Sequence, residues 1–345
     1  MNGLIEIAQP GIGTTVQDSG RAGHRHHGMP LSGWLDGPLA RAANALLGNP
    51  SDAAVLELRG TGTVLRVKAG PVRLALAGRV GATCLRGDGS RSTLPAWHSA
   101  TLRDSDQLLL SPAESGCAYL AVAGGLLMEP QLGSRSSYWR AGLAGVLGRA
   151  FRPGDQLPCG AWHLTDPREW RCRSPWTASV GPVRVLLGPQ QDHFTADAIA
   201  QFLSQDWEAT AAQDRMGLRF KGEPLAHVNA AAADIVSDGV TPGAIQVPAN
   251  GQPIVLLADG QTVGGYPKIA TVISADLPRL AHQKPGTRVR FETVNLEQAH
   301  RALKDERDRW QRWLSSRETY LPPGTLDETA LYTCNLIDGM QRADP

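Results

Sequence analysis

The residues with most chemistry to offer lie together in Asp259-Gly-Gln-Thr-Val-Gly-Gly-Tyr-Pro-Lys-Ile-Ala-Thr-Val-Ile-Ser274. Gln261 and Thr262 are short polar hydrogen-bonders. Gly264 and Gly265 let the backbone bend or approach another group closely. Tyr266-Pro267-Lys268 then feeds Ile269 to Ile273, a β-branched run that reads as a buried strand. A hydroxyl-bearing, glycine-bent loop that sets one lysine at a strand mouth suits a polar or anionic small ligand. The alternative is a glycine hairpin with a solvated lysine.

Other polar clusters precede it. In Gly11 to Arg21, Asp18 and Arg21 stand three apart across a glycine. They pair, face a ligand, or form an Asx-turn beside a surface arginine. Arg135 sits among hydroxyls in Ser134-Arg-Ser-Ser-Tyr138, suited to an anion or to capping a neighbouring loop. Arg215 lies between Asp214 and Met216-Gly217, where a local ion pair is the plainer reading. Gln246 alternates with Ile245 and Val247 and so points to the opposite face. His24-Arg-His-His27 invites a metal, but adjacent histidines rarely share an ion, and no Asp, Glu or Cys stands at a completing spacing. We expect an exposed loop there and no metal site.

These residues need a scaffold. The chain has 345 residues, which suggests about two domains. Lys plus Arg number 34 against 33 Asp plus Glu, which argues against nucleic acid or a membrane surface as partner. The 38 glycines and 24 prolines, with short β-branched runs between them, predict a turn-rich, mainly β architecture. Five scattered cysteines without C-x-x-C spacing fit reduced thiols in the cytoplasm. No apolar run is long enough to span a membrane, and the N-terminus lacks the pattern of a signal peptide.

One helix is predicted from Asp36 as N-cap to Gly48. Strands follow over 54–58, 63–67, 72–77, 99–103, 107–110 and 118–123, with a hairpin signal at Gly87-Asp-Gly89. The Arg-, Pro- and Trp-rich stretch from Thr165 to Pro182 marks a domain boundary. Beyond it come a strand at 183–187, a helix capped by Thr195, strands at 233–236, 243–247, 253–258 and 287–294, and a short helix from Ser274. A tail helix places Leu296, Ala299, Leu303, Trp310, Trp313 and Leu314 on one face. We expect Trp310 and Trp313 to pack on the second domain. Beyond Pro323 the reading predicts only a short extension.

Taken in order, Thr14-Thr-Val-Gln-Asp-Ser-Gly-Arg21, Ala121-Val-Ala-Gly-Gly125, Gly133-Ser-Arg-Ser136, Asp214-Arg-Met-Gly217, Pro242-Gly-Ala-Ile-Gln-Val-Pro248, Gly251-Gln-Pro-Ile-Val-Leu-Leu257 and Gly264-Gly-Tyr-Pro-Lys-Ile-Ala270 closely resemble the family of 5-oxoprolinase C subunits. That family is also called allophanate hydrolase subunit 2-like or KipA-like, and is related to half of the carboxyltransferase domain of urea carboxylase. The sequence departs from its pattern at Gly260-Gln-Thr-Val263, where a hydroxyl is lost, at Gly33-Trp-Leu35, and at His24 to His27.

The resemblance implies two tandem cyclophilin-like β-barrels plus a C-terminal helix. The expected division is 1–164 and 183–294 for the barrels, 165–182 for a linker and 295–345 for a helical extension. It implies a subunit, inactive alone, that works with a KipI-like protein (the B-type subunit) and an amidohydrolase-like A-type subunit to open 5-oxoproline to L-glutamate with ATP. The alternatives are a carboxyltransferase acting on urea or a similar amide, with biotin carried by a partner, and a regulator that binds a KipI-like kinase inhibitor. The chain lacks G-x-x-x-x-G-K-[ST], so any ATP site in it is of another kind. Activating an inert amide calls for fixed positive charge and N–H donors at its oxygen. On that basis Lys268, Arg215 and Tyr266 are the expected catalytic groups. Gln246, Gln261, Thr262, Gly265, Asp18, Arg21 and Arg135 are the expected substrate-binding groups.

Overall fold

In the computed structural model, residues 2–143, 148–163, 168–322 and 325 are described. The first domain is built from two sheets. One is six-stranded and joins the N-terminal strand Asn2–Gln9 to Gln156–Ala161 on one side and Val64–Ala69 on the other. The second is five-stranded, with Ala118–Val122 at its centre between Val55–Leu58 and Val72–Ala77.

The central strands are buried on both faces, and their alternation shows why. Leu74, Leu76, Ala118, Leu120 and Val122 point into the first-domain core. Ala75, Ala77, Tyr119 and Ala121 point the other way, toward helix α1 (Gly37–Ala45). Three alanines on that outer face let the helix lie close. Asp36 caps α1 by accepting from Leu39 N at 3.0 Å, with Pro38 in the first turn, as expected from sequence.

The second domain is a barrel. Its eight-stranded sheet runs from Arg288–Val289 at one edge to Phe291–Thr293 at the other. These edges are consecutive pieces of one strand interrupted at Arg290, so the sheet closes on itself. Helix α2 (Ala196–Ser204), capped by Thr195, packs Phe202 against Phe291 at 4.9 Å between centroids. Helix α3 (Leu277–Leu280) follows the strand Lys268–Val272. The apolar cluster of this barrel continues unbroken through α1, Tyr119 and Trp97 of the first domain. The barrels therefore share a core, and their relative position is fixed by packing.

The mainly β plan of two barrels and a C-terminal helix holds. Four local expectations do not. Residues 230–233 form a 3₁₀ turn that runs into extended chain, and no strand forms over 233–236. Four consecutive alanines after the Asn229 cap favour that turn. The linker contributes a strand, Glu169–Cys172, paired with a C-terminal strand, Arg317–Tyr320.

The tail helix α4 (Leu296–Leu314) forms with a capping box at Asn295 and Gln298. Its tryptophans, however, pack away from the second barrel. Trp313 meets Trp97 of the first domain at 5.5 Å and Trp176 at 6.2 Å, and its indole donates to Ser174 O. Trp310 lies under the Arg41 guanidinium of α1. The helix crosses the joint, so its first half, through Ala299 and Ala302, packs on the second barrel and its last turns on the first. For the same reason Leu296 and Leu303 stay exposed. The extension from residue 326 onward, with Cys334, lies outside the described residues.

Candidate functional site

The strand-end cluster predicted from sequence is assembled. Lys268 opens its strand with 4% exposure, and its Nζ donates to Asp238 Oδ2 at 2.6 Å and to Gly239 O at 3.0 Å. The hydrogen bond from Lys268 holds the Asp238 carboxyl below its usual range. The short ladder Asp238–Gly239 against Val263–Gly264 carries that carboxylate to the lysine. Gln246 lies opposite Lys268 in register. Gln261 Nε2 donates to Gln246 Oε1 at 3.0 Å, and Gln246 Nε2 reaches Tyr266 O at 3.4 Å.

Gly264 makes room for this pair, since a Cβ there would stand 2.5 Å from Gln246 Nε2. Thr262 and Gly265 brace the loop through their carbonyls, which accept from Val240 N and Ile235 N. The Tyr266 ring is 41% exposed at the surface. Lys268 thus has one of three N–H donors left over, and the glutamine amides are spent mainly on each other.

A residue missed from sequence joins this cluster. Arg25 lies inside the histidine run, where the histidines drew the attention to metal. Its Nη2 donates to Val240 O and to Gln261 O, the latter at 3.2 Å, across the domain boundary. Lys268 and Arg25 therefore hold the successive carbonyls of Gly239 and Val240, one cation from each domain. Its neighbours lie in an exposed loop, with the His26 and His27 rings exposed and 3.7 Å apart.

Asp18, Arg21 and Arg135 gather elsewhere, at the base of the 18–33 loop. The Asp18 carboxylate is buried and accepts from Gly20 N (2.9 Å), Ser134 Oγ (2.6 Å), Ser136 Oγ (2.6 Å) and Arg135 N (2.5 Å). It knots two loops together. Arg135 spends its Nε on Met128 O, the loop-capping alternative. Arg21 is fully buried, with Nη2 on Ser136 O. Burial lowers its pKa, against the opposing pull of Asp18 and Asp259.

Arg215 is the pivot between domains. Its Nε and Nη2 grip Asp259 at 2.9 and 3.1 Å, Nη1 reaches Glu57 at 2.6 Å, and Nη2 also reaches Gly33 O. Glu57 further accepts from Leu35 N and the Tyr119 hydroxyl. Burial alone would raise the Glu57 carboxyl, but Arg215 and these donors outweigh it and hold it low. Burial likewise opposes the Arg215 charge, and Glu57 and Asp259 overcome that and raise its pKa.

Above this pivot opens an interdomain cleft of about 200 Å³, walled by Thr15, Arg59, Ser137, Tyr138 and Trp139 of the first domain and Asp214, Met216 and Asp259 of the second. Arg140 and Asp214 meet at 3.9 Å across it. The predicted site residues thus fall into two groups, Lys268 with the glutamines on one side and Asp18, Arg21 and Arg215 around the interdomain cleft.

Comparison with known proteins places this architecture. A family profile described as carboxyltransferase domain, subdomain A and B, matches residues 27–293. The chain is 34% identical over 304 residues to the C subunit of 5-oxoprolinase from Escherichia coli K12, covering 88% of this chain and 95% of that protein. It is 32% identical over 297 residues to the same-named protein of Haemophilus influenzae. A urea amidolyase of Lachancea kluyveri is 28% identical over 341 residues, but this chain spans only 18% of it. Among solved structures, TTHA0988 superposes with a TM-score of 0.72 at 32% identity, covering 84% of this chain and 56% of that one. The Kluyveromyces lactis urea carboxylase superposes with a TM-score of 0.78 over 90% of this chain and 29% of that one, at 24% identity, a likeness of fold. On the extent of the profile match and the near full-length correspondence, the chain belongs to the carboxyltransferase-domain family and stands within it beside the 5-oxoprolinase C subunits.

Proposed function

We propose that this chain is the C subunit of an ATP-dependent 5-oxoprolinase that opens 5-oxoproline to L-glutamate. The observation that carries the reading is the correspondence with a 5-oxoprolinase C subunit over 95% of that protein's length. Its partners in this reading are a KipI-like protein as B-type subunit and an amidohydrolase-like A-type subunit, and alone it is inactive. The four described cysteines are free and buried, in keeping with a cytoplasmic complex. Burial pushes Cys159 up to about 12 and Cys172 up to about 11, so neither is a nucleophile at neutral pH.

Ring opening adds water across the lactam C–N bond: the carbonyl carbon becomes a carboxylate and the ring nitrogen an ammonium. Resonance makes that carbonyl unreactive, and positive charge or N–H donors at its oxygen lower the barrier. Lys268 supplies a fixed ammonium with one unspent donor, held by Asp238. Gln246 and Gln261 orient an amide edge, with Thr262 and Gly265 shaping the loop and the exposed Tyr266 closing over it. Arg215, Asp18, Arg21 and Arg135 hold the second group of residues in place around the cleft. The cleft of about 200 Å³ is smaller than pockets for drug-sized ligands, roughly 300 Å³ and upward. A nucleoside triphosphate is larger than this cleft, and no step is derived through ATP.

Reconstitution with the two partner proteins tests this. Glutamate release from 5-oxoproline and ATP is expected, with Lys268→Ala lowering turnover at least about tenfold. Turnover of that variant within about threefold of the parent would remove the lysine from the mechanism. The likeness to urea amidolyases favours a second reading, carboxyl transfer to urea or a similar amide from biotin on a partner. Labelled bicarbonate entering urea in the assembled complex would favour it. A tight complex with the KipI-like protein, silent toward both substrates, would point to regulation.

A further inference from the structure

Lys268 is held by a small piece of chain that the barrel sheet does not itself fix. Its acceptors, Asp238 Oδ2 and Gly239 O, sit side by side on a strand of two residues. That strand pairs with Val263–Gly264 in a two-stranded sheet of its own, separate from the eight-stranded sheet. A pair this short is marginal without outside support. Its flanks are exposed, Val236 at 94% and Val263 at 57%. At one end Val240 packs with Ala244 and Leu256, and its N–H donates to Thr262 O.

Arg25 supplies further support from the other domain. Its Nη2 donates to Val240 O and to Gln261 O, one carbonyl from each chain of the pair. The Val240 carbonyl follows directly on the peptide unit whose oxygen, Gly239 O, accepts from Lys268. Gln261 is the residue whose amide meets Gln246. One guanidinium nitrogen thus stands behind both halves of the cluster, the ammonium and the paired amides.

An ion pair does not account for this arginine. Among the described residues no carboxylate offsets its burial, which lowers its pKa, and its Nη1 is buried without a partner. Burying a charge on neutral carbonyls alone is costly. Nor do its hydrogen bonds go to a strand of the eight-stranded sheet: Val240 precedes Ala244–Gln246, and Gln261 lies between Ile254–Leu256 and Lys268–Val272. What the two bonds fix is the short ladder, and what the ladder fixes is Lys268.

We propose that Arg25 is a positioning residue: from the first domain it clamps residues 238–240 against 261–264, so that Asp238 and Gly239 hold the Lys268 ammonium in one orientation with its remaining N–H free. The inference rests on the role given to Lys268 in the proposed function, while the clamp itself is a property of this chain alone. Fixed orientation is what a reacting group needs, since a displacement of about 1 Å can cost about a hundredfold in rate.

The test begins with the full chain alone. Reductive methylation with formaldehyde and cyanoborohydride, read by peptide mass spectrometry, compares Lys268 with the exposed Lys304 of the same molecule. Arg25→Met keeps the apolar stem and loses the donors; it should raise the Lys268-to-Lys304 rate ratio at least about fivefold by freeing the ladder. The melting temperature should stay within about 3 °C of the parent, because the barrel strands keep their bonds. In the assembled complex the same variant should lower kcat at least about fivefold with KM within about twofold. Should Arg25→Met fail to fold, Arg25→Lys keeps the charge but ends one bond short of Nη2, and should raise the ratio at least about twofold. An unchanged ratio in a folded variant would overturn the proposal, as would all five lysines speeding up alike with a fallen melting temperature. Lost turnover with Lys268 as protected as in the parent would also overturn it and leave the proposed function standing. A parent complex silent toward 5-oxoproline would sink the proposed function, and the labelling of the chain alone would still decide the clamp.

Discussion

Arg215 of the second barrel reaches 2.6 Å into the first to meet Glu57, a fully buried carboxylate. Neither partner has water to fall back on. Removing one leaves the other charged and buried, which costs about 3–5 kcal/mol. Arg215→Met should therefore destabilise the chain by about that much in urea unfolding. Adding Glu57→Gln should recover more than half of the loss, because a neutral amide remains to accept from Leu35 and Tyr119. If the two losses simply add, the groups do not act as a pair.

Stability should fall as pH rises through neutrality, from the joint between α1, α3 and α4. Burial, with Asp36 nearby, pushes the Glu306 carboxyl up to about 7, against Arg309 and Arg41. A carboxyl raised above its ordinary 4.5 is protonated in the folded chain first, so stability is lost as pH climbs from about 4.5 to 7. His282 adds in the same direction. Burial would lower its pKa, but its 2.8 Å bond to Asp36 outweighs that and raises it. Its contribution is whole below its ordinary 6.5 and disappears as pH rises through the raised value. Glu306→Gln should flatten the slope and gain about 1 kcal/mol at pH 8, screening at this partly exposed site trimming the full effect. Melting temperatures between about pH 5.5 and 8.5 decide it.

Gly264→Ala should strain the second barrel locally. The new methyl would sit 2.5 Å from Gln246 Nε2, inside contact distance. Overpacking of this kind costs about 1–3 kcal/mol. Gln246→Ser on the same background should relieve it, whereas strain in the backbone itself would persist in the double variant. Thermal melts of the three proteins separate the cases.

Trp313 should matter more to stability than its distance from either barrel centre suggests. Its ring packs between Trp97 and Trp176, and Trp313→Ala should cost about 3 kcal/mol or more. Ending the chain at Val294 should lower the melting temperature further, since α4 and the strand Arg317–Tyr320 go together. An unchanged melt would mean that the helix only decorates the surface.

The sequence exposed the scaffold more readily than the site. Strands such as Val72–Ala77 and Gln107–Leu110 carry their signal locally, in alternation and flanking turns, and appear where expected. The Lys268 strand mouth was legible for the same reason: glycines, a proline and a lysine are neighbours in the chain. Arg25 was not, because its role rests on Val240 and Gln261, more than two hundred residues away. Arg215 looked like one half of an Asp214–Arg215 pair, yet its partners are Glu57 and Asp259. Long-range ion pairs leave no periodicity in a sequence. The tail tryptophans were placed on the wrong barrel because helical spacing fixes which face is buried and not against what.

The pairing of Glu169–Cys172 with Arg317–Tyr320 has a consequence for synthesis. Each barrel is complete as soon as its own strands have emerged, and domains generally fold as units from the N-terminus. The clasp is different, because Arg171 must wait 147 residues for Glu318. A ribosome therefore releases both barrels before this clasp can close. Premature termination just short of residue 317 would yield a protein packed in both halves whose Glu169–Cys172 segment lacks its partner strand.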